Sequence, residues 1–349
     1  MNQVLATAAA LAIAVALAPA HAQAPNSMRI AGNFSSNTKH VDTIEKPFFV
    51  ALPKLVGVPL TVNYNPMDTV GVQAADALRH LRSGTFDVMS VQIGMASRDD
   101  PFFEGLDLIG VSPNMKDLRK AVDAYRQVFD QRLQTRFKAK VMTLWPFGPQ
   151  VIYCNKPIKG LDDLKGLKVR VFTPSMAALV QYAGGTPVTL QFSEVYPSLQ
   201  RGVADCAVTS PTSGNTGKWP EVTTHFYPLA LSGSVQGHFM NLDYWKRFTP
   251  EQQQTLTTAF KQMEDQMWAL ADRVNDDAVN CNIGRDPCTE GVKFKMALVD
   301  VTPQDQQRVK GAVTAAVLPL WKTTCNKVDP KCTSTWNETV GKVRGYKID

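Results

Sequence analysis

Motifs that carry catalytic chemistry are largely missing from this sequence. It has no G-x-S-x-G turn to expose a serine nucleophile, no H-E-x-x-H zinc motif and no glycine-rich dinucleotide loop. Beyond residue 22, none of the histidines has metal-ligand spacing: His40, His80, His225 and His238. The sequence therefore predicts a protein that is not an enzyme and that uses neither a cofactor nor a metal ion. An enzyme of unfamiliar design is the alternative.

Blocks of like charge are missing too. The 37 basic and 31 acidic residues give a net charge of +6, and they are spread along the chain without a lysine- or arginine-rich run. No segment interleaves aromatic and basic residues. These features argue against a nucleic-acid partner, whereas a modest positive surplus favours anionic small molecules.

Apolar runs long enough to span a membrane are also absent. The longest, Leu5–Ala18, has about 14 residues, which is too few to cross a bilayer comfortably. It is followed by Ala20-His21-Ala22, a small-x-small cleavage site. This pattern predicts a secretory signal peptide over residues 1–22, cleaved near Ala22 with Ala24 as the alternative, and export of a soluble protein to the periplasm.

The C-x-x-C pattern of thioredoxin-like and zinc-ribbon sites is absent, although the chain has six cysteines. In an exported protein, cysteines favour disulfides. Two pairs have a spacing of seven residues that suits local loop links: Cys281 with Cys288, and Cys325 with Cys332. Cys154 and Cys206 would then pair across neighbouring strands, with buried free thiols as the alternative.

One stretch, residues 160–211, is dense in alternating strand and helix signals. Leu167–Phe172 alternates apolar and charged residues, as a half-buried strand does. Thr173 suits the cap of the following helix, and Ser193 suits the cap of the next one. Two short strands complete a strand–helix–strand–helix–strand unit, which predicts parallel α/β pairing: Val188–Leu190 and Ala204–Thr209.

Arg170 lies near the carboxyl end of the first of these strands, just before a helix N-terminus. Ligands of open α/β sheets bind at that end of the strands, and helix N-termini favour anions. A guanidinium placed there would bind a carboxylate through two parallel hydrogen bonds. The alternative is a solvated arginine on the polar face of the strand, beside Lys168.

The same stretch resembles the signature region of the periplasmic substrate-binding subunits of TRAP transporters, the DctP family. The matching segments are Asp163–Val171 (DLKGLKVRV), Gly185–Val188 (GTPV), Phe192–Tyr196 (FSEVY) and Leu199–Asp205 (LQRGVAD). In that family the arginine of the first segment forms a salt bridge with the carboxylate of an organic acid. The resemblance therefore implies this role for Arg170 and disfavours the solvated-arginine alternative.

The resemblance also implies an α/β protein with the two-lobed periplasmic binding protein fold and a long helix spanning both lobes. Residues from Pro250 to about Asn280 fit that helix, because their apolar side chains recur at helical spacing; a coiled coil is the alternative. Residues 145–149 form a proline- and glycine-rich crossover. We therefore expect lobe one at 28–147 plus 237–276, and lobe two at 148–236 plus 277–349.

Further ligand contacts follow from the resemblance. In the family, the loops after the first and third strands face the ligand, and this chain has four residues there: Asn33, Phe34, Ser35 and Gln92. Each is equally suited to satisfying local turns. An asparagine that often follows the Val-Asp turn in the family is replaced by Thr209 or Ser210, and the shifted register leaves both open.

Gln150 stands where sialic-acid-binding members have a second arginine, which argues against a sialic acid or a strongly dianionic ligand. Trp145 and Phe147 of the crossover, together with Trp219, are expected on the cleft wall. Packing in the core, without ligand contact, is the alternative for these rings.

Together these features predict the solute-binding subunit of a TRAP transporter. It would close on a small organic acid, with a monocarboxylate favoured, and deliver it to the membrane permease subunits, which the resemblance implies are ion-driven. The alternatives are a solute-binding protein of an ABC-type importer and a periplasmic hydrolase.

Overall fold

The computed structural model describes residues 25–349, which form a mixed α/β protein with two sheets. The signal peptide predicted for residues 1–22 lies outside the described residues. The strands are β1 Ser27–Gly32, β2 Thr61–Pro66, β3 Val88–Gln92, β4 Ala139–Pro146, β5 Val151–Cys154, β6 Lys168–Val171, β7 Thr186–Thr189, β8 Cys206–Thr209, β9 His225–Tyr227, β10 Val235–Asn241 and β11 Ala297–Leu298.

Helices cover both sheets, and short 3-10 or π-helical turns adjoin several of them. The helices are α1 Thr38–His40, α2 Lys46–Val56, α3 Ala77–Ser83, α4 Ile93–Ala96, α5 Met115–Phe137, α6 Pro174–Tyr182, α7 Phe192–Gln200, α8 Pro211–Thr216, α9 Leu242–Trp245, α10 Pro250–Ile283, α11 Pro303–Ala312, α12 Leu318–Val328, α13 Cys332–Trp336 and α14 Lys342–Arg344.

The first sheet has five strands in the order β2-β1-β3-β10-β4. Strand β1 runs parallel to β2 and β3, whereas β10 is antiparallel to β3 and β4. Val88, Met89 and Val91 of β3 are completely buried, as expected for a strand covered on both faces. The chain returns to this sheet through β10 after forming most of the second one.

The second sheet has six strands in the order β11-β9-β5-β8-β6-β7. Strand β6 pairs in parallel with β7 and β8, which confirms the α/β unit predicted for residues 160–211. Strand β5 is antiparallel to β8 and β9. The carboxyl ends of β6 and β8 therefore meet at one edge of this sheet, together with the start of β5.

The helix cap predicted from the sequence is observed at α6 but not at α7. Thr173 caps α6, and its hydroxyl accepts a hydrogen bond from the Met176 backbone N–H (3.1 Å), as predicted. Ser193 does not cap α7, because that helix already begins at Phe192. The Glu194 carboxylate accepts instead from the Gln191 backbone N–H at 2.9 Å.

Helix α10 joins the two halves of the molecule, which confirms the predicted long helix. Its middle packs on the first sheet, where the Trp268 indole donates to the Leu144 carbonyl at 2.9 Å. Its end packs beside the second sheet, where Asn282 donates to the Tyr153 hydroxyl at 2.7 Å. Neither α10 nor another helix within residues 25–349 combines the length and the apolar content needed to cross a membrane.

The crossover from β4 to β5 depends on a glycine. Gly148 has a φ of +118°, a region that residues with a side chain rarely occupy. A Cβ atom at this position would lie 2.0 Å from Nδ2 of Asn275 on α10. The same Asn275 amide donates to the Phe147 carbonyl (2.9 Å), so the helix fixes the path of the crossover.

All three predicted cysteine pairs are bonded in the structure: Cys154–Cys206, Cys281–Cys288 and Cys325–Cys332. The first links β5 to its antiparallel neighbour β8, where the two residues lie directly opposite each other. The second closes the turn after α10, and the third joins α12 to α13. The free-thiol alternative for Cys154 and Cys206 is therefore wrong.

The last helices contact both halves of the molecule. Trp321 of α12 and Trp336 of α13 donate from their indoles to carbonyls of Pro101 and Gly105, which lie beside α5. Earlier in this region, α11 and the turn that follows it pack on α6 of the second half. The residue boundaries expected for the two lobes remain a prediction.

Candidate ligand-binding site

A small cavity lies where strand ends from both sheets face each other. This is the position at which open α/β sheets bind ligands. The residues that line it are Phe34, Asn37, Gln92, Phe147, Gln150, Arg170, Phe172, Phe192, Thr209, Ser213 and Ser234. Arg170 is the only charged residue among them.

Arg170 is almost completely buried, with 2% of its surface exposed. Its Nε donates to the Leu190 carbonyl (3.1 Å) and its Nη1 donates to the Val208 carbonyl (2.8 Å). The guanidinium carbon also lies 4.9 Å from the ring centre of Phe172 and 5.7 Å from that of Trp219. Two carbonyls and two aromatic faces thus hold the group at the cavity wall and leave Nη2 without a hydrogen bond to residues 25–349.

No carboxylate within residues 25–349 forms an ion pair with Arg170. Burial lowers the pKa of its guanidinium to about 9, because desolvation disfavours the charged form, and the charge of Glu194 opposes this only in part. The group therefore stays positive at neutral pH. A buried positive charge without a counter-ion is costly, and an anion in the cavity would relieve that cost.

Four phenylalanine rings form the apolar part of the wall. They come from loops after strands of both sheets and from the start of α7: Phe34, Phe147, Phe172 and Phe192. Phe34 and Phe192 approach from opposite halves, with ring centres 6.1 Å apart. Rings around one cation suit a small acid with a largely apolar or ring-shaped body.

Six of the residues predicted for ligand contact or for the cleft wall line this cavity: Phe34, Gln92, Phe147, Gln150, Arg170 and Thr209. Gln92 donates to the Ser234 hydroxyl (3.2 Å), and Gln150 donates to the Gly148 carbonyl (3.1 Å), so both amides are held in place. Whether these residues contact a ligand remains a prediction.

Three predicted polar residues lie outside the lining because other partners hold them. Ser35 is exposed and donates to the Asp68 carboxylate at 2.5 Å. Ser210 caps α8, where its hydroxyl accepts from the Ser213 backbone N–H at 3.1 Å. The backbone N–H of Asn33 donates to the buried Glu45 carboxylate (3.1 Å), which directs the loop after β1.

The two predicted tryptophans also lie outside the lining. Trp145 is fully buried and stacks on His40, with ring centres 5.2 Å apart. Trp219 is buried behind Phe192, on which it stacks at 5.3 Å, and it faces the Arg170 guanidinium from that side. Both indoles support residues of the wall, which agrees with the packing alternative.

Sequence reasoning did not single out five lining residues: Asn37, Phe172, Phe192, Ser213 and Ser234. Phe172 directly follows the strand of Arg170, and Phe192 opens the FSEVY segment. Their positions in the sequence could therefore have indicated that they lie near the ligand site. Asn37 and Ser234 had no such signal, because only the packing of distant segments brings them to the cavity.

Contacts between the two halves close the cavity. The Gln191 side chain at the start of α7 accepts from the Ala74 backbone N–H (2.9 Å). Lys39 forms an ion pair with Glu290 at 2.9 Å. On the other side, the buried Glu104 carboxylate accepts from the Ser175 backbone N–H (2.8 Å) at the start of α6.

Within the described range, one group of potential metal ligands occurs, namely Asp277, Cys281 and Cys288. Its two cysteines are bonded to each other, so their sulfurs are not thiolate ligands. The cavity itself combines a cation, amides, hydroxyls and aromatic rings. This set can hold an anion and shield it from water.

Comparison with known proteins places these features in context. Residues 38–323 match the family model described as bacterial extracellular solute-binding protein, family 7. The sialic acid-binding periplasmic protein SiaP of Vibrio cholerae is 28% identical over 170 residues, which cover 47% of this chain and 50% of that protein. The C4-dicarboxylate-binding periplasmic protein DctP of Rhodobacter capsulatus is 26% identical, covering 51% and 54%. The chain thus spans about half the length of these curated relatives.

Solved structures show the same fold over nearly the whole chain. DctP6, a Bordetella pertussis extracytoplasmic solute receptor binding pyroglutamic acid, superposes with a TM-score of 0.79 at 20% identity, covering 91% of this chain and 99% of that one. A TRAP periplasmic solute-binding protein from Desulfovibrio salexigens with bound orotic acid gives 0.78 at 15% identity, covering 91% and 99%. These likenesses confirm the two-lobed binding-protein fold. They do not favour the ABC-importer or hydrolase alternatives.

Proposed function

Since the chain belongs to the bacterial extracellular solute-binding proteins of family 7, we propose that it is the solute-binding subunit of a TRAP transporter. It captures a small organic acid in the cavity between its two halves and releases it to membrane permease subunits. Relatives and structural neighbours named as sialic acid, C4-dicarboxylate and pyroglutamate binders support a carboxylate as the ligand.

One observation carries this proposal, namely the buried guanidinium of Arg170, which has no anionic partner among residues 25–349. A carboxylate that accepts from Nη2 and the remaining Nη1 proton would neutralise it through two parallel hydrogen bonds. The surrounding rings would exclude water. The ion pair would therefore stabilise the complex only if its polar atoms are all hydrogen-bonded.

The ligand is a monocarboxylate, because Arg170 is the only charged residue in the lining. Gln150, which is 1% exposed, stands at the position where a second arginine is expected in sialic-acid-binding members. Its amide can donate one hydrogen bond but cannot balance a second negative charge.

The proposed route follows from family membership and the amino terminus. Residues 1–22 direct the chain across the inner membrane and are removed near Ala22. In the periplasm the protein binds its acid without altering it. Three disulfides suit that oxidising compartment.

A screen tests the proposal directly. The protein without residues 1–22 is mixed with a panel of monocarboxylates and dicarboxylates, thermal unfolding is followed, and hits are titrated by calorimetry. We expect a monocarboxylate to bind with a micromolar or lower Kd and to be recovered unchanged by mass spectrometry. Tight binding of dicarboxylates alone would contradict the monocarboxylate assignment, and a chemically altered ligand would contradict the binding function.

A further inference from the structure

Asn37 lines the cavity that contains Arg170, and its side chain has an unused hydrogen-bond acceptor. It lies at the start of α1 and is 3% exposed. Its Oδ1 is buried and accepts no hydrogen bond from the described residues. A buried carbonyl oxygen left without a donor costs free energy, so native proteins seldom retain one unless a ligand or water serves it.

The orientation of this amide is fixed by its neighbours. Asn33 Oδ1 accepts from the Phe34 backbone N–H at 2.7 Å, so this atom must be the oxygen. The same oxygen accepts from Asn37 Nδ2 at 3.2 Å. Turning the Asn37 amide over would place two oxygens against each other, so Oδ1 is the atom left without a partner.

The loop that carries Asn37 is itself held rigidly. Both oxygens of the buried Glu45 carboxylate accept from the Asn33 backbone N–H, and one of them also accepts from the Tyr64 hydroxyl at 3.1 Å. The Asn37 backbone N–H donates to the Phe34 carbonyl (2.9 Å). These bonds hold the backbone that carries the Asn37 amide, so its oxygen is preorganised for a donor arriving with the ligand.

We infer that the ligand carries an N–H or O–H donor in its body, in addition to the carboxylate, and that Asn37 selects for it. The ligand class is thus hydroxy acids and acids with an amide or lactam N–H, rather than plain alkyl or aryl carboxylates. This inference rests on the proposed function, because it takes the carboxylate to be held by Arg170. It adds a neutral contact from the first half of the molecule to the charged contact from the second.

Matched ligand pairs test the inference. Each pair has nearly the same shape, and one member lacks the donor: pyroglutamate with 3-oxocyclopentanecarboxylate, mandelate with phenylacetate, and lactate with propionate. Calorimetry on the wild-type protein should show at least one donor-bearing acid binding about tenfold or more tightly than its partner, since leaving a buried acceptor unserved typically costs this much.

Substitution then assigns the preference to Asn37. Asn37→Leu keeps the volume and removes the acceptor, so the preference within the pair should fall to less than about threefold, mainly because the donor-bearing acid binds more weakly. Asn155→Leu is the matched control: Asn155 Oδ1 is also buried without a partner, but the residue does not line the cavity. That variant should keep the full preference. Circular dichroism confirms the fold of both variants.

The outcomes separate this inference from the proposed function. Equal binding within the pairs, or a preference that survives in Asn37→Leu, overturns the role of Asn37 while leaving an organic-acid receptor. Binding of none of the six acids overturns the ligand class, and the wider acid panel then decides whether the receptor function stands. If no acid in that panel binds, both proposals fall.

Discussion

The burial of Arg170 is costly for folding, and the proposed function gives this side chain a role in binding. Its guanidinium is 2% exposed and is held by two carbonyls instead of a carboxylate. Carbonyl dipoles and ring faces offset part of the desolvation cost, but they do not supply a negative charge. In the proposed function the ligand completes the site, so both the charge and the planar shape of Arg170 are expected to matter.

We expect Arg170→Ala to raise the Kd for the bound acid by on the order of 100-fold or more, corresponding to about 3–5 kcal/mol for a buried pair that loses one partner. The Kd of Arg170→Lys should lie between those of Arg170→Ala and the wild type, because lysine keeps the charge but loses the planar fork. Lys168→Ala, which removes a solvent-exposed cation from the same strand, should bind normally. Calorimetry measures all three. Binding of Arg170→Ala within threefold of wild type would place the carboxylate elsewhere.

The carboxyl group of Asp107 should make the free energy of unfolding depend on pH. Burial raises the pKa of its carboxyl to about 7, although backbone N–H groups of Val235 and Gly233 partly oppose the shift. The folded protein therefore keeps a proton that the unfolded chain releases near pH 4. Because the folded state binds more protons in this window, the free energy of unfolding falls as pH rises from about 4 to about 7.

The variant Asp107→Asn carries no such proton, so its stability should lack this component of the pH dependence. Urea unfolding between pH 4 and pH 8 gives both curves, and the difference between them isolates Asp107 from the other carboxyls. We expect the wild type to lose on the order of 2 kcal/mol relative to the variant across this range, less than the full linkage value because the side chain is not wholly shielded. Parallel curves would mean that the carboxyl is ionised throughout.

Among the elements, the antiparallel pair β5–β8 places two lining residues at one of its ends. Gln150 precedes β5, and Thr209 ends β8 beside Arg170 of the neighbouring β6. The Cys154–Cys206 disulfide lies at the opposite end of this pair from the cavity and links residues 52 apart. It therefore stabilises the sheet without contacting the ligand.

Removing that link should cost more stability than removing a local one. In the chain-entropy description, a 52-residue loop gives about 4 kcal/mol and a seven-residue loop about 2 kcal/mol. We therefore expect Cys154→Ala/Cys206→Ala to lower the urea midpoint more than Cys281→Ala/Cys288→Ala, which is the control pair. Both should still bind the acid with unchanged affinity at low temperature. The opposite order of midpoints would show that strain or local packing outweighs loop entropy.

In the whole molecule, the proposed function makes binding depend on how firmly the two halves stay together around the ligand. Lys39 and Glu290 form an ion pair at the rim, with 26% and 33% of their side chains exposed. Such a pair contributes little by itself, up to about 1 kcal/mol. Reversing one charge adds repulsion in the closed form while leaving the cavity lining intact.

Lys39→Glu should therefore raise the Kd about three- to fivefold, mostly through faster release of the acid, and the effect should shrink at high salt. Lys46→Glu is the control, because it changes the net charge by the same amount. Lys46 is exposed and forms no ion pair within the described residues. Surface plasmon resonance or stopped-flow fluorescence gives the release rate. Equal release rates for the two variants would mean that the rim pair does not hold the closed form.

The sequence alone determined the features that depend on neighbouring residues. The parallel unit around residues 160–211, the cap of α6 and the local cysteine pairs rest on contacts a few positions apart, which composition and spacing encode directly. The position of Arg170 at a strand end followed from the same local pattern. Resemblance to a known family supplied the two-lobed fold, which no local pattern specifies.

Tertiary structure alone brought the lining residues together and added those without a sequence signal, such as Asn37 and Ser234. Asn37 and Phe192 are more than 150 positions apart, yet both face the Arg170 site, because the loop after β1 is held by Glu45 and the halves close on each other. The same packing moved Trp145 and Trp219 behind the wall and turned Ser210 into a helix cap. These outcomes depend on the competition of distant groups for the same space and the same hydrogen bonds, and residue type and order do not reveal which group prevails.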